Sequence, residues 1–344
     1  MDVLILGSDN PVGSALLSAF TQWGRHRGIG LSSSSCRWRS ERQAKKACRK
    51  NRPQAVVDLR LGWQVASGEV MQPADIERTH WVAKACARSA MHYLFLSSDQ
   101  VFAGQTGRHL IESDETDAFQ QPGLQLIEAE DQILQVSQSS LVLRTGPVFA
   151  SFNDNMLTRI VEDLLALPRT IQKSGGDAYP SANEGKQVDA LRVSDTDGSG
   201  GLSRREVVLD NDSVFCPVAS VDLARVLAAM LDQLSVGSQA RGIFHYASAE
   251  RTTEYAFAET VLASVNQFAE TGNTTIAASP NHESKIVQSR VLSCSRVLSS
   301  FAIQQVPWRE FIQTFVKQCI ESNQQYTSRG AGSDGGSQAG MLSA

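Results

Sequence analysis

Short apolar runs alternate with amphipathic stretches through the first half of the chain. Val3 to Leu6, Ile29 to Ser32, Ala55 to Leu59, Tyr93 to Ser97 and Ser140 to Arg144 are brief and mostly apolar, which predicts strands. Pro11 to Trp23, Ser40 to Lys50, Pro73 to Ala90 and Leu124 to Val136 carry apolar residues at helical spacing between them. Strands that alternate with helices in this way pair in parallel through crossover connections. The expectation is an α/β fold, a doubly wound, Rossmann-like parallel sheet over residues 1–150, with ligands at the carboxyl ends of its strands.

The pattern is less regular afterwards. A helix from about Asn155 to Leu167, a strand at Val207 to Leu209, a helix from Ser220 to Leu234, a strand at Ile243 to Tyr246 and helices from Thr253 to Phe268 and Pro307 to Ile320 predict a smaller C-terminal α/β lobe over 151–325. Residues 173–205 are polar and rich in Gly, Ser and Asp, so they read as a flexible insertion, and 326–344 as a disordered tail.

Composition narrows the function classes. The chain has 344 residues, 42% of them hydrophobic, and a formal charge of −4, which gives no case for nucleic acid or a membrane surface. No apolar run reaches the roughly 18 residues of a membrane span, and Met1 leads into a strand with no basic leader before it, so the expected address is the cytoplasm. The six cysteines are scattered without zinc spacing and read as reduced thiols.

Val3-Leu-Ile-Leu-Gly-Ser-Asp-Asn-Pro-Val-Gly13 has the form of a strand, a turn and a helix start. Gly7, Asn10, Pro11, Val12 and Gly13 are the candidate cofactor-binding residues, because a helix N-terminus offers free amides and a positive dipole end to a pyrophosphate. Asn10 stands where the pattern has its middle glycine; it suits the turn and can cap the helix, but it puts a side chain where bare backbone would meet phosphate. Past the second strand there is no acid for a ribose hydroxyl. Arg37 and Arg39 lie there instead and suit a 2′-phosphate. The basic run that continues through Arg42, Lys45, Lys46, Arg49 and Lys50 reads as a solvated helix face or as a contact for a polyanion.

Phe95-Leu-Ser-Ser-Asp-Gln-Val-Phe-Ala-Gly104 resembles the Ser-Thr-Asp-Tyr-Val-Phe-x-Gly segment of the dTDP-4-dehydrorhamnose reductase family, extended short-chain dehydrogenase/reductases. Leu143-Arg-Thr145, Pro217 with Asp222-Leu-Ala224, Gly242-Ile-Phe-His245, Tyr255-Ala-Phe-Ala258, Ser295-Arg-Val297 and Trp308-Arg309 keep the family order. The resemblance implies a nucleotide-sugar ligand, with NADP or NAD as cofactor, and a Ser/Thr, Tyr and Lys set in which tyrosine protonates the oxyanion left by hydride transfer. It places Ser98 at the Ser/Thr position and Asp99 and Pro217 near the substrate.

The same alignment places Pro122 on the tyrosine and Leu126 on the lysine. None of Tyr93, Tyr179, Tyr246, Tyr255 and Tyr326 is followed four residues on by lysine. Asp58-Leu-Arg-Leu-Gly62 with Trp63 also replaces the small residues against which the family's cofactor packs. The expectation is a reductase-like protein without the reductase chemistry, which binds a nucleotide sugar, a protein partner or a second copy of itself. The alternative is an active NAD(P)H-dependent keto-sugar reductase that uses another acid.

Asp195-Thr-Asp-Gly-Ser-Gly-Gly-Leu-Ser-Arg-Arg-Glu206 matches a twelve-residue calcium loop, with Asp195, Asp197, Ser199, the Gly201 carbonyl and Glu206 as ligands. Its flanks make short, poor helices and no second loop pairs with it, so a polar loop that meets the pattern by composition stands beside the calcium site.

Overall fold

The computed structural model describes residues 1–104, 107–137, 139–166, 192–196, 204–272, 274–279 and 288–330. The first part of the chain runs β1 (Asp2–Leu6), α1 (Pro11–Trp23), β2 (Arg27–Leu31), α2 (Glu41–Arg49), β3 (Ala55–Asp58), α3 (Arg60–Ser67), α4 (Pro73–Ala87), β4 (His92–Ser98), α5 (Gly123–Val136) and β5 (Leu141–Thr145). It continues through β6 (Val148–Phe149), α6 (Met156–Leu164), β7 (Arg192–Thr196), β8 (Arg204–Leu209), β9 (Val214–Phe215), β10 (Val218–Ala219) and α7 (Ser220–Ser235). Then come β11 (Gly242–Tyr246), α8 (Glu254–Val265), β12 (Thr274–Ala278), β13 (Ser289–Arg290), α9 (Ser295–Phe301) and α10 (Arg309–Gly330).

Six strands form a parallel sheet in the order β11-β5-β4-β3-β1-β2. Every described residue of β3 and β5 is buried, as are Val3 to Leu6 of β1, because helices cover both faces. Each such aliphatic side chain contributes about 1.5–3 kcal/mol by leaving water. The helices group as α1 with α7 and as α2, α4 and α5, the two layers that right-handed crossovers on either side of β1 produce. The strand order reverses between β1 and β3, where Leu6 pairs with both Leu31 and Asp58. A ligand crevice is therefore expected above Gly7, Ser32 and Leu59.

A second hydrophobic cluster gathers Phe149, Leu157, Val161, Phe257, Trp308, Phe315 and Val316 from α6, α8 and α10. β11 and α7 follow residue 150 in the chain yet belong to the large sheet and its helical layer. The boundary between the lobes is thus crossed more than once.

The elements departed from expectation in several places. Arg60–Ser67 is helical, closed by Gly68 in left-handed conformation at φ 70°, although its first residues carry no helix signal. The short α9 and β12 were also missed. Within the stretch expected to be a flexible insertion, β7 pairs antiparallel with β8, which pairs in turn with β12. Hydrogen bonding to a strand some 70 residues away in the chain leaves no local trace in composition. The last helix continues to Gly330, inside the expected tail; residues 331–344 lie outside the described residues.

Candidate functional site

The loop after β1 builds the first wall of the crevice. Gly7 turns at φ 81°, and Gly13 packs so closely that a Cβ there would stand 2.4 Å from the Gly7 carbonyl oxygen. Asn10 caps α1: its Oδ1 accepts the Gly13 amide at 2.8 Å, and Pro11 fills the first helical position. Asn10 is 3% exposed, and its Nδ2 is buried with no hydrogen-bond partner among the described residues. It stands 2.8 Å from where a Cβ on Gly7 would be. A buried donor at a helix N-terminus suits an anion. Asp9, exposed beside it, ties this loop to the one after β2: its Oδ1 accepts the Ser33 amide at 2.7 Å and the Ser33 hydroxyl at 3.0 Å.

Opposite Gly7 stands an ion pair. Arg60 Nη2 is 2.6 Å from Asp58 Oδ2 and Arg60 Nε is 2.8 Å from Oδ1, both residues being buried. Tyr93 donates its hydroxyl to Asp58 Oδ2 at 3.0 Å, and Arg60 lies over the Trp38 ring at 5.5 Å. Burial and the Asp58 charge push the Tyr93 phenol far above its usual range. The stem of Arg60 covers Gly7, with Cγ 3.6 Å from the position of a Cβ there.

Ser98 ends β4 in register with Thr145 of β5. Its Oγ donates to Asp99 Oδ1 at 3.0 Å and accepts the Gln100 amide at 3.3 Å. Asp99 is 1% exposed; burial pushes its carboxyl up to about 6, with Arg290 and Ser98 pulling the other way. Its Oδ2 has no partner among the described residues. Helix α5 starts against this turn, so close that a Cβ on Gly123 would fall 2.2 Å from the Gln100 carbonyl oxygen. Pro122 precedes that first residue, and Leu126, one turn in, is wholly buried. Cys216, next to Pro217, presses its carbonyl on Gly146 and borders a cavity of about 650 Å³ lined also by His109, Ser248, Arg251 and Gln305.

The family profile described as "RmlD substrate binding domain" matches residues 1–170 and 200–321. The chain belongs to this family. No curated protein gives a significant match. Among solved structures, a dTDP-4-dehydrorhamnose reductase from Clostridium acetobutylicum is similar at 16% identity and a TM-score of 0.66, over 94% of this chain and 100% of that one. One from Bacillus anthracis, in complex with NADP, is 14% identical with a TM-score of 0.67, over 91% and 98%. A Thermus thermophilus UDP-glucose 4-epimerase in complex with NAD is 15% identical with a TM-score of 0.66, over 93% and 99%. Identities this low carry the fold alone.

For the RmlD fold's dinucleotide, the two halves of the crevice behave differently. The Gly7–Gly13 wall, with its helix terminus and orphaned Asn10 amide, fits a pyrophosphate. The end toward Ser98 adjoins the start of α5, where Pro122 precedes the helix and Leu126 is buried in the core. The described tyrosine hydroxyls are engaged elsewhere: Tyr93 with Asp58, Tyr246 with Asp222, Tyr255 with Glu259. Tyr179 lies outside the described residues.

Arg37 and Arg39 stand exposed past β2, and Arg37 is near enough to Glu69 to offset part of the burial that pushes that carboxyl up. On α2, Ala44 and Cys48 are buried while Arg42, Lys46, Arg49 and Lys50 face solvent. The calcium-loop positions Asp197, Ser199 and Gly201 lie outside the described residues; Asp195 and Glu206 fall on β7 and β8, so strands rather than helices flank the loop. Among the described residues no cluster of His, Cys, Asp and Glu is arranged to hold a metal, and no helix is long and apolar enough to cross a membrane.

Sequence reasoning passed over three groups here. Asp9 is read only as part of the loop, Asp58 and Arg60 only as bulk and charge where the cofactor would pack, and the buried pairing of Glu130 with Arg144, 2.6 Å apart, not at all. The available signal was charge at positions where strands end.

Proposed function

We propose that this chain binds a nucleotide sugar without reducing it, and acts through that ligand or through a protein partner. One observation carries the reading: the helix pressed against Ser98 bears Pro122 and the wholly buried Leu126 where the resemblance puts tyrosine and lysine. Proline has no proton to give, and an alkoxide formed by hydride transfer would meet no phenol or ammonium from α5. Losing general acid assistance alone costs about 10²–10⁴ in rate. Support for the ligand comes from the family, from solved relatives that are reductases and epimerases of nucleotide sugars, and from the cavity beside Cys216. Its volume is in the range of small-molecule sites, and Arg251 supplies a cation for phosphate. Any nicotinamide cofactor would rest on Gly7, Asn10, Val12 and Gly13 and supply hydride.

One observation favours the second reading, an active reductase. Asp99 is a buried acid held near pH 6 and bonded to the Ser98 hydroxyl, a carboxyl that stays protonated closer to neutrality than most. The deciding experiment incubates the protein with dTDP-4-dehydro-L-rhamnose and NADPH or NADH, following nicotinamide absorbance, and titrates dTDP-sugars by calorimetry. Sugar-nucleotide binding without oxidation of the cofactor is expected. Turnover that Ser98→Ala and Asp99→Asn each abolish would overturn the first reading in favour of the second.

A further inference from the structure

The geometry points to Asp9 as the residue that makes the adenosine end of the crevice accept a ribose with a free 2′-hydroxyl and reject a 2′-phosphate. In an open doubly wound sheet the ribose of a dinucleotide lies at the end of β2, where an acid takes the hydroxyls or a cation takes the phosphate. Here β2 contributes no acid. Asp9 supplies one from the adjoining loop after β1, reaching from the phosphate loop to the Ser33 amide at 2.7 Å and the Ser33 hydroxyl at 3.0 Å.

Those are donors that a 2′-phosphate would need, and a carboxylate already holds them. The neighbouring hydroxyls are engaged too: Ser32 Oγ lies 3.0 Å from Ser34 Oγ and 2.8 Å from Ser35 Oγ. Arg37, the cation that the sequence offered to the phosphate, shares its surroundings with Glu69, which in turn feels Asp9, Asp75 and Asp154. Asp75 and Asp154 are neutralised by Arg78 and Arg159, so Asp9, with its charge unpaired among the described residues and set on the Ser33 donors, is the acid that an incoming phosphate meets first. A phosphate dianion brought to this corner meets like charge, whereas ribose hydroxyls meet the free lone pairs of Asp9. The partly fitted pyrophosphate wall, with the 97%-buried Asn10 and its unpartnered Nδ2, holds the adjoining diphosphate.

This inference is independent of whether the chain turns over a sugar. The test is calorimetry of the full chain with ADP-ribose and with its 2′-phosphorylated form, comparing wild type, Asp9→Asn and Asp9→Glu. Far-UV circular dichroism checks that each variant is folded. Wild type is expected to bind ADP-ribose at least about tenfold more tightly than the 2′-phosphate, from like-charge repulsion at short range. Asp9→Asn keeps an acceptor for Ser33 but loses the charge, and should close that gap mainly by tightening the phosphorylated ligand; Asp9→Glu should preserve it. Equal affinities in wild type, an unchanged ratio in Asp9→Asn, or no binding of either ligand to wild type would each overturn the assignment. Reductase turnover would overturn the non-reducing reading and leave this one standing, so the two failures are distinguishable.

Discussion

Glu130 and Arg144 are joined by a buried ion pair beneath the end of β4, with Arg144 Nη2 2.6 Å from Glu130 Oε2 and the Ser97 hydroxyl donating to Oε1 at 2.5 Å. Both side chains are 3% exposed, and the guanidinium also lies over the Phe102 ring at 5.1 Å. Glu130 is one helical turn beyond Leu126, so the clamp of α5 to the sheet sits next to the turn that carries Leu126. The position of α5 is held by this charge pair together with the buried Leu126, Ala129 and Ile133 and the Gln125 amide on the Met71 carbonyl.

Arg144→Leu should therefore destabilise the fold by about 3–5 kcal/mol, because Glu130 is left charged and unpaired in the core. The double change Glu130→Leu with Arg144→Leu should cost much less than the sum of the single changes. Urea unfolding of the four proteins measures both, and a cost under about 1 kcal/mol for the single variant would place the pair at the surface.

Two buried groups near this clamp give stability opposite dependences on pH. Asp99 rises from 3.8 to about 6 on folding through burial, so the folded state holds its proton more tightly. Its contribution is greatest below about pH 4 and falls as pH rises to about 6. His245 moves the other way, from 6.5 to about 3, through burial and the nearby Arg144 charge. Its contribution is complete above about pH 6.5 and is lost as pH falls toward 3. The full effects are about 3 kcal/mol for Asp99 and about 5 kcal/mol for His245, and between pH 4 and 6 their slopes are opposite and offset in the wild type. Asp99→Asn should leave a stability that climbs with pH across this window, and His245→Asn one that declines. Chemical denaturation at half-unit pH steps distinguishes them; parallel profiles for the two variants would contradict the assignment.

Leu126→Lys restores the side chain that the family resemblance implies, at a position that is 0% exposed. The acid one turn further on, Glu130, is already paired with Arg144, so an ammonium there would be buried without a free partner and a loss of about 3–5 kcal/mol is expected by thermal or urea unfolding. Near-wild-type stability would mean that this turn of α5 opens to solvent or to the crevice.

Much of the architecture was legible because it is written in local pattern. Asn10, Pro11 and Gly24 mark the two ends of α1, and short apolar runs mark β1, β3 and β5. Pro122 and Leu126, where the resemblance puts tyrosine and lysine, are likewise read letter by letter from the chain. α3 was not, because Arg60, Leu61, Gly62 and Trp63 do not alternate or repeat with a helical period, and the helix is held by its burial against β4 and Gly7.

The sequence alone determined the alternation of the main strands and helices and the family, since each depends on neighbours in the chain. Only the tertiary structure decided where the charges point. Asp9 meets Ser33 across 24 residues, Tyr93 meets Asp58 across 35, and the His245 ring meets the Leu110 carbonyl across 135. Buried polar groups must find partners wherever the fold brings them, and that search takes place in space, where sequence separation carries no information.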